Sequence, residues 1–335
     1  MHLLFRSQRP RICCVTRSVT SLQRLHSSLN SSDKVVGKSE GYSKLPRLFV
    51  GSIPKEPTSC THIHNLPQRF SSAPASCRAN AILELTPEQS RYLITVLRWN
   101  KRKSNIRVFD PHSEWLARVS VLEDKRRNSL VTVECLEPLR TSGLVSRPSI
   151  LCIAPPKKKE RLRWLMEKTV ELGVDGFLFL DTEYSEASGI DFDKVQSYVL
   201  EAVEQSERLT VPFLFAAPSS NYSLPPERSS ALRTIALRDF QQLWQESPVG
   251  KVLIARERAD TIPILEALQD NQSDEPVLFL VGPEGGWSPA EEEMMDSWEA
   301  QCQGRIRNVS LGNTILRSET AAMIAIAAHS LVKSN

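Results

Sequence analysis

An apolar strand that runs directly into a glycine-rich turn and then into a helix start places the strongest constraint on the fold of this chain. Residues 277–291 read VLFLVGPEGGWSPAE. Ser288 is placed to cap the helix, Pro289 occupies its first position, and Glu291 can complete a capping box. Glycine at 282, 285 and 286 removes side chains that would keep a ligand from the backbone. The segment therefore predicts a strand, a tight turn and a helix, with the turn serving either as a ligand loop or as a structural connection.

A second junction of the same kind lies near the C-terminus. Residues 306–311 read as a strand, 312–317 as a loop, and 321–332 as an alanine-rich helix. Ligands of open α/β sheets bind outside the carboxyl ends of strands, so both loops can line one pocket. The chain contains neither a GxxxxGK[ST] phosphate loop nor a GxGxxG fingerprint, which makes phosphate binding an unfavoured use of these glycines.

Together, the two junctions resemble the RsmE-type 16S rRNA methyltransferases of the SPOUT superfamily, which methylate uridine at ring N3. The matching segments are LVGPEGGWSPAEEE at 280–293 and VSLGNTILRSETAAMIAIA at 309–327. Residues 159–174 resemble the first helix of the family's catalytic domain, and 201–206 resemble its EAxEQ helix. Residues 45–49 and 96–98 are similar to elements of its small N-terminal barrel. The resemblance covers nearly all of the chain from residue 44 onward, apart from insertions.

Strands alternate with helices from residue 149 onward, which by itself indicates a parallel sheet of Rossmann-like type. The resemblance implies a more specific α/β fold, in which 144–335 form a SPOUT methyltransferase domain with a C-terminal trefoil knot. Residues 44–143 carry short alternating segments typical of a small antiparallel barrel. The resemblance identifies them as a PUA-like RNA-binding domain, within which 52–80 read as an inserted surface loop. It also implies a homodimer.

The resemblance implies S-adenosylmethionine as cofactor and a uridine of small-subunit rRNA as substrate. Uridine N3 must lose its imide proton before methylation, so a base and a cationic group are expected near the reacting nitrogen. Arg317 and Glu319 are the candidate catalytic residues, although the two could instead form a simple ion pair at a helix start. The candidate cofactor-binding residues are Leu280, Gly282, Glu284, Gly285, Leu311, Gly312, Ile315 and Leu316. Candidate RNA contacts are Arg98, Lys157 and Arg208.

The sequence departs from the family pattern at several suspected RNA-contact positions. Tyr92 stands where His is usual, and Tyr184 and Thr314 stand where Arg is usual. Glu207, Leu209 and Thr210 replace a Gly-Arg-Asn-Arg-like run. Two alternatives therefore stay open: a non-catalytic, SPOUT-derived RNA-binding factor of ribosome assembly, or a methyltransferase that acts on another RNA.

Composition adds an expectation about location. The 42 basic and 39 acidic residues give a net charge of only +3, so partners cannot be read from overall charge. The first acidic residue is Asp33, and the preceding segment is rich in Arg and Ser. Such a composition is typical of an organelle transit peptide, which predicts a leader and linker over 1–43 and a mitochondrial matrix protein, with the chloroplast as the alternative. No CxxC pair is present and no metal site is predicted.

Overall fold

The computed structural model describes residues 34–35, 42–51, 57–65, 76–96, 99, 105–122, 130–143, 145, 147–185, 190–217, 231–246, 250–257, 261–269, 274–302 and 304–333. Within these ranges the chain forms two large sheets, with strands numbered here along the whole chain. The six strands of the first sheet are β1 (Lys34–Val35), β2 (Arg47–Phe49), β4 (Ile82–Glu84), β5 (Asn105–Phe109), β6 (Ser113–Leu122) and β7 (Leu130–Thr141).

The first sheet has the order β1-β7-β6-β5-β2, and β4 also pairs with β7. All of its pairings are antiparallel except β2 with β5, which run parallel. Short helix α1 (Pro87–Arg91) follows β4 and begins with a capping box formed by Thr86 and Gln89. The predicted β-rich first region is thus present among the described residues, as an open sheet with one parallel pair rather than a purely antiparallel one.

The second sheet contains nine strands among the described residues, and every pairing in it is parallel. The strands are β3 (Thr58–Ser59), β8 (Ser149–Ile153), β9 (Gly176–Asp181), β11 (Phe213–Ala216), β13 (Ile235–Ala236), β14 (Lys251–Ala255), β15 (Ile262–Pro263), β16 (Val277–Val281) and β17 (Ile306–Ser310). Their order in the sheet is β15-β17-β14-β16-β8-β9-β11-β3, and β13 also pairs with β9. A small separate pair joins β10 (Ile190–Asp191) to β12 (Ala231–Leu232). The predicted α/β fold with a parallel sheet is confirmed.

Helices cover both faces of the parallel sheet. They are α2 (Lys159–Glu171), α3 (Phe192–Gln205), α4 (Leu237–Glu246), α5 (Ile264–Gln269), α6 (Pro289–Gln301) and α7 (Ser318–Lys333). Alternate residues of each strand enter opposite cores: Phe279 packs with α2, α3, α5 and α7, whereas Leu278 and Leu280 pack with α4 and α6. Because both faces are buried, strands such as β16 are continuous apolar runs, which is why the sequence predicts them well.

The described part of the predicted insertion at 52–80 corrects the expectation of a surface loop. β3 adds to the edge of the parallel sheet by pairing with β11, and the following turn, Cys60–Asn65, buries Cys60 and Ile63 against the α4 and α6 side of that sheet. Residues 58–65 therefore lie against the second sheet, whereas Cys77, near the end of the same predicted insertion, is buried in the core of the first sheet. The first sheet also begins before residue 44, because Lys34 and Val35 pair with β7. Apart from residues 42–43, the rest of the predicted leader and linker lies outside the described residues.

Candidate active site

Three neighbouring parallel strands end at one cavity of about 720 Å³. β14, β16 and β17 are adjacent in the sheet, and the residues that follow each of them form the cavity wall. This is the edge of an open α/β sheet where ligands bind, and the volume is that of a small-molecule site. The lining residues are Ala255, Arg256, Glu257, Val281, Gly282, Pro283, Gly286, Trp287, Glu292, Ser310, Leu311, Gly312, Asn313, Thr314, Ile315, Leu316, Ser318 and Ala321.

The glycine turn after β16 is fixed at both ends. Ser288 caps α6 by accepting a hydrogen bond from the Glu291 amide, and Glu291 accepts one from the Ser288 amide, as predicted. The indole Nε1 of Trp287 donates to the Ala255 carbonyl over 3.1 Å, which ties the turn to the end of β14. A Cβ on Gly282 would stand 3.0 Å from the Trp287 ring. Glycine at 282 therefore lets the indole close against the turn and form one cavity wall.

The loop after β17 forms the opposite wall. Gly312 has a φ of 131°, a conformation that side chains other than glycine rarely adopt, and a Cβ built there would meet nothing within 4 Å. The Ser310 hydroxyl hydrogen-bonds with both the amide and the carbonyl of Gly312, which stabilises this conformation. Leu311, Ile315 and Leu316 supply apolar side chains to the same wall.

The predicted cofactor-binding residues divide between three places. Gly282, Leu311, Gly312, Ile315 and Leu316 line the 720 Å³ cavity. The Leu280 side chain does not, because its position in β16 directs it into the core beside α4 and α6. Glu284 and Gly285 lie on the other side of the glycine turn and line a second cavity instead. The structure thus corrects the placement of these three residues by showing that the turn is a partition between two cavities.

The second cavity has a volume of about 580 Å³ and lies at the ends of β8, β9 and β16, which are also neighbours in the sheet. It is lined by Lys157, Lys158, Arg161, Glu183, Tyr184, Ser185, Glu284 and Gly285. A Cβ on Gly285 would stand 2.9 Å from the Cβ of Tyr184. Gly285 therefore allows the tyrosine to lie against the turn.

Arg161 joins both predicted loops, a role that the sequence does not reveal. Its guanidinium lies 3.4 Å from a carboxylate oxygen of Glu284 and 3.6 Å from one of Glu319. Glu319 is buried, and its carboxylate also accepts a hydrogen bond from the Ser318 hydroxyl. The predicted alternative, an ion pair between Arg317 and Glu319, is not the arrangement found, because Arg161 is the partner. Arg317 is exposed between Leu316 and Ser318, which both line the larger cavity.

The three predicted RNA contacts have different outcomes. Lys157 is exposed at the second cavity, and Arg98 lies outside the described residues. Arg208 is a correction: its guanidinium donates to the carbonyls of Val170 and Val174 and pairs with Asp175 over 3.1 Å. These contacts close the C-terminal end of α2 and leave the Arg208 side chain only 12% exposed. Its role is structural, since the helix-end carbonyls need donors.

In the part of the chain that the structure describes, no group of three His, Cys, Asp or Glu side chains is arranged to hold a metal ion. No helix in those residues is long and apolar enough to cross a membrane.

The fold and the larger cavity define an α/β protein with a ligand site at the carboxyl edge of a parallel sheet. The pattern of the RNA methyltransferase domain family matches residues 145–330, more than half of the chain. The protein belongs to this family of RNA methyltransferases.

Individual relatives agree with this assignment. The chain is 26% identical over 258 residues to ribosomal RNA small subunit methyltransferase E of Rickettsia conorii, covering 76% of this chain and 92% of the relative. It is 29% identical over 250 residues to the protein of the same name from Synechocystis, covering 74% and 72% of the two chains. The crystal structure of the Neisseria gonorrhoeae protein of that name bound to S-adenosyl methionine has the same fold, with a TM-score of 0.57, 24% identity, and coverage of 85% and 96%. The resemblance to RsmE-type proteins is confirmed.

Proposed function

We propose that the protein transfers a methyl group from S-adenosylmethionine to uridine N3 in the RNA of a small ribosomal subunit. The observation that carries the proposal is the single cavity built from both glycine loops at the ends of β14, β16 and β17. The relatives named ribosomal RNA small subunit methyltransferase E support the choice of substrate. The choice of N3 rests on the resemblance carried by 280–293 and 309–327.

The residues of the larger cavity fit S-adenosylmethionine. The Trp287 ring, Leu311, Ile315 and Leu316 offer an apolar surface for adenine, and the backbone around Gly312 is open to close approach. Glu257 places a carboxylate at the same cavity, where it favours a cationic ligand, whereas the carboxylate of Glu292 is paired with Arg256 over 3.3 Å. When bound, S-adenosylmethionine supplies an electrophilic methyl group.

The chain's own side chains would position the uracil ring and stabilise the charge that develops when its imide proton is removed. Methylation would form the N3–CH₃ bond while the bond between this methyl group and the donor's sulfonium sulfur breaks, leaving a neutral thioether, and the imide proton would pass to a general base. Arg317 is exposed at the rim of the larger cavity and can stabilise the negative charge that develops on the uracil oxygens. Glu319 is held by Arg161 and Ser318, so we assign it the role of fixing the start of α7 against the glycine turn. Most of the rate enhancement would come from alignment of the reactants.

Several features of the whole protein belong to the same proposal. We propose a trefoil knot, since both loops that the resemblance assigns to it border one cavity. We propose a PUA-like RNA-binding role for the region of the first sheet. Trp164 and Leu331 are exposed apolar residues on the contacting helices α2 and α7, which supports a homodimer. The Arg-rich, acid-free segment before Asp33 supports a mitochondrial matrix location, with the chloroplast as the alternative.

Calorimetric titration with S-adenosylmethionine tests the cofactor. We expect binding by the wild type and at least about tenfold weaker binding by Gly312→Ala, which adds a methyl group to the cavity wall at a positive φ. Gly304→Ala is the matched control, because Gly304 also has a positive φ (81°) but does not line the cavity. It should lower the melting temperature to a comparable extent while keeping the affinity. Absence of binding by the wild type would refute the methyltransferase proposal and favour an assembly factor.

Mass mapping of organellar small-subunit rRNA tests the substrate. Cells that lack the protein should lose one N3-methyluridine signal, and the wild-type gene should restore it. An unchanged signal in cells without the protein would eliminate this substrate and redirect the search to other RNAs.

A further inference from the structure

The second cavity lies directly beside the proposed cofactor site. The glycine turn separates them: Gly282, Pro283 and Gly286 face the larger cavity, whereas Glu284 and Gly285 face the smaller one. The ends of β16, β8 and β9 form the smaller cavity, so both cavities open along the same edge of the sheet. A ligand in the smaller cavity would therefore lie next to a cofactor in the larger one.

Its lining combines cationic side chains with an aromatic ring. Lys157 and Lys158 are exposed at one side, and Tyr184 is 44% exposed at the other. The charge of Arg161 is offset by Glu284 and Glu319, whereas Lys158 presents an exposed ammonium group at the same cavity. Lysines beside an aromatic surface are the combination that binds single-stranded nucleic acid, through phosphates and base stacking.

Tyr184 is positioned by the same carboxylate that fixes the glycine turn. One oxygen of Glu291 accepts the hydrogen bond from Ser288, and the other accepts one from the Glu183 amide over 3.0 Å. The hydroxyl of Ser185 closes the short turn by donating to the Thr182 carbonyl. The turn that carries Tyr184 is thus attached to the start of α6, and the Tyr184 side chain lies against Gly285.

We propose that this smaller cavity receives a nucleotide adjacent to the target uridine of the RNA, with its base stacked on the Tyr184 ring and the adjoining phosphates near Lys157 and Lys158. The inference rests on the proposed methyltransferase function and assigns the substrate side of that site. Chemistry at a base edge requires a target nucleotide that is unstacked from its neighbours, and an aromatic side chain replaces part of the stacking that the neighbouring base loses. The cavity volume of about 580 Å³ lies in the range of small-ligand sites.

Substitution of Tyr184 tests the stacking surface. We expect Tyr184→Ala to bind a fluorescein-labelled single-stranded oligouridylate about tenfold more weakly than the wild type, and Tyr184→Phe to bind it within about twofold. Calorimetry should give both variants the wild-type affinity for S-adenosylmethionine. Wild-type RNA affinity in Tyr184→Ala, or absence of oligouridylate binding by the wild type at low salt, would overturn the inference. Absence of S-adenosylmethionine binding by the wild type would refute the proposed methyltransferase function rather than this inference.

Substitution of Lys158 tests the phosphate contacts. Lys158→Gln should reduce the slope of log affinity against log salt by about 0.7, the value for one phosphate contact to a single strand. Lys158 makes no side-chain cap on α2, so this change leaves the helix start intact. Lys194→Gln is the matched control: Lys194 is an exposed lysine near the start of α3, and its loss should leave the slope unchanged. Equal slopes for the two variants would contradict the assignment.

Discussion

Glu207 shows how a single residue can depart from the family pattern without losing the fold. It follows the end of α3 with a φ of 59°, a left-handed conformation that favours glycine. Its carboxylate accepts a hydrogen bond from Arg107 over 2.6 Å, and its carbonyl accepts one from Arg140. Burial raises the pKa of Glu207, but the Arg107 hydrogen bond and the neighbouring arginine charges outweigh it, so the pKa is lowered overall. The ion pair offsets part of the backbone strain.

Replacement of Glu207 by two small residues separates these effects. Glu207→Ala loses the ion pair and keeps the strain, whereas Glu207→Gly loses the ion pair and relieves the strain. We expect the alanine variant to be less stable than the glycine variant by about 1 kcal/mol, measured by urea unfolding at pH 7. Because the folded-state pKa is lowered, the wild-type contribution is present above the unfolded pKa of about 4.5 and is lost as the pH falls below it. Equal unfolding midpoints for the two variants would exclude strain at this position.

Individual roles at the site could be predicted only where the local sequence determines them. The Ser288 and Glu291 capping box follows from residues three positions apart, and it forms as predicted. Arg161 and Arg208 are both plausible RNA contacts by residue type alone. Their partners are distant in sequence, so only the folded chain reveals that Arg161 joins two carboxylates and Arg208 closes a helix end.

At the scale of elements, burial on both faces of the sheet explains why the sequence predicts the parallel strands and their helices. The sequence does not predict β3, since a two-residue edge strand is added through backbone hydrogen bonds that leave no apolar pattern. Strand order is equally hidden. The alternation of strands and helices predicts a parallel sheet, but not that β14 lies between β16 and β17 or that Ala255, Arg256 and Glu257 line the cavity.

Helix α7 carries a buried titratable group that makes its packing sensitive to pH. The neutral His329 ring lies edge-on against Phe279, and its Nε2 donates to the Arg147 carbonyl over 2.9 Å. Burial lowers the pKa of His329 to about 4, from 6.5 in the unfolded chain. A lowered histidine pKa means that stability is complete above the unfolded value and falls as the pH decreases from 6.5 towards 4.

We expect the free energy of unfolding to fall by about 2 kcal/mol between pH 7 and pH 5 through this group alone. His329→Gln retains an amide donor for the Arg147 carbonyl but does not titrate, so its unfolding free energy should change less over the same interval. Urea unfolding of both proteins at the two pH values measures the difference. Parallel pH dependences would show that protonation of His329 does not limit the stability of α7.

At the scale of the whole molecule, a buried arginine cluster joins the two sheets. Glu114 of the first sheet forms ion pairs with Arg47, Arg107 and Arg140. Arg47 also donates to the Val203 carbonyl at the end of α3 over 2.9 Å, and its guanidinium lies 3.4 Å from the centre of the Phe109 ring. Burial lowers the pKa of Arg47 to about 10, so the group remains charged at neutral pH. The sheets are therefore connected by charged groups that each have several partners.

This connection predicts that loss of Arg47 weakens the whole molecule rather than one sheet. Arg47→Met keeps most of the side-chain volume but leaves Glu114 with fewer cations and the Val203 carbonyl without its donor, at a cost of about 3 kcal/mol. Arg118→Met is the control, since its pair with Glu134 is exposed and should contribute less than about 1 kcal/mol. Differential scanning calorimetry should resolve two transitions in Arg47→Met where the wild type and Arg118→Met unfold in one. A single transition at the wild-type temperature in Arg47→Met would mean that apolar contacts such as Phe49 and Phe109 with the α3 core are sufficient to couple the sheets.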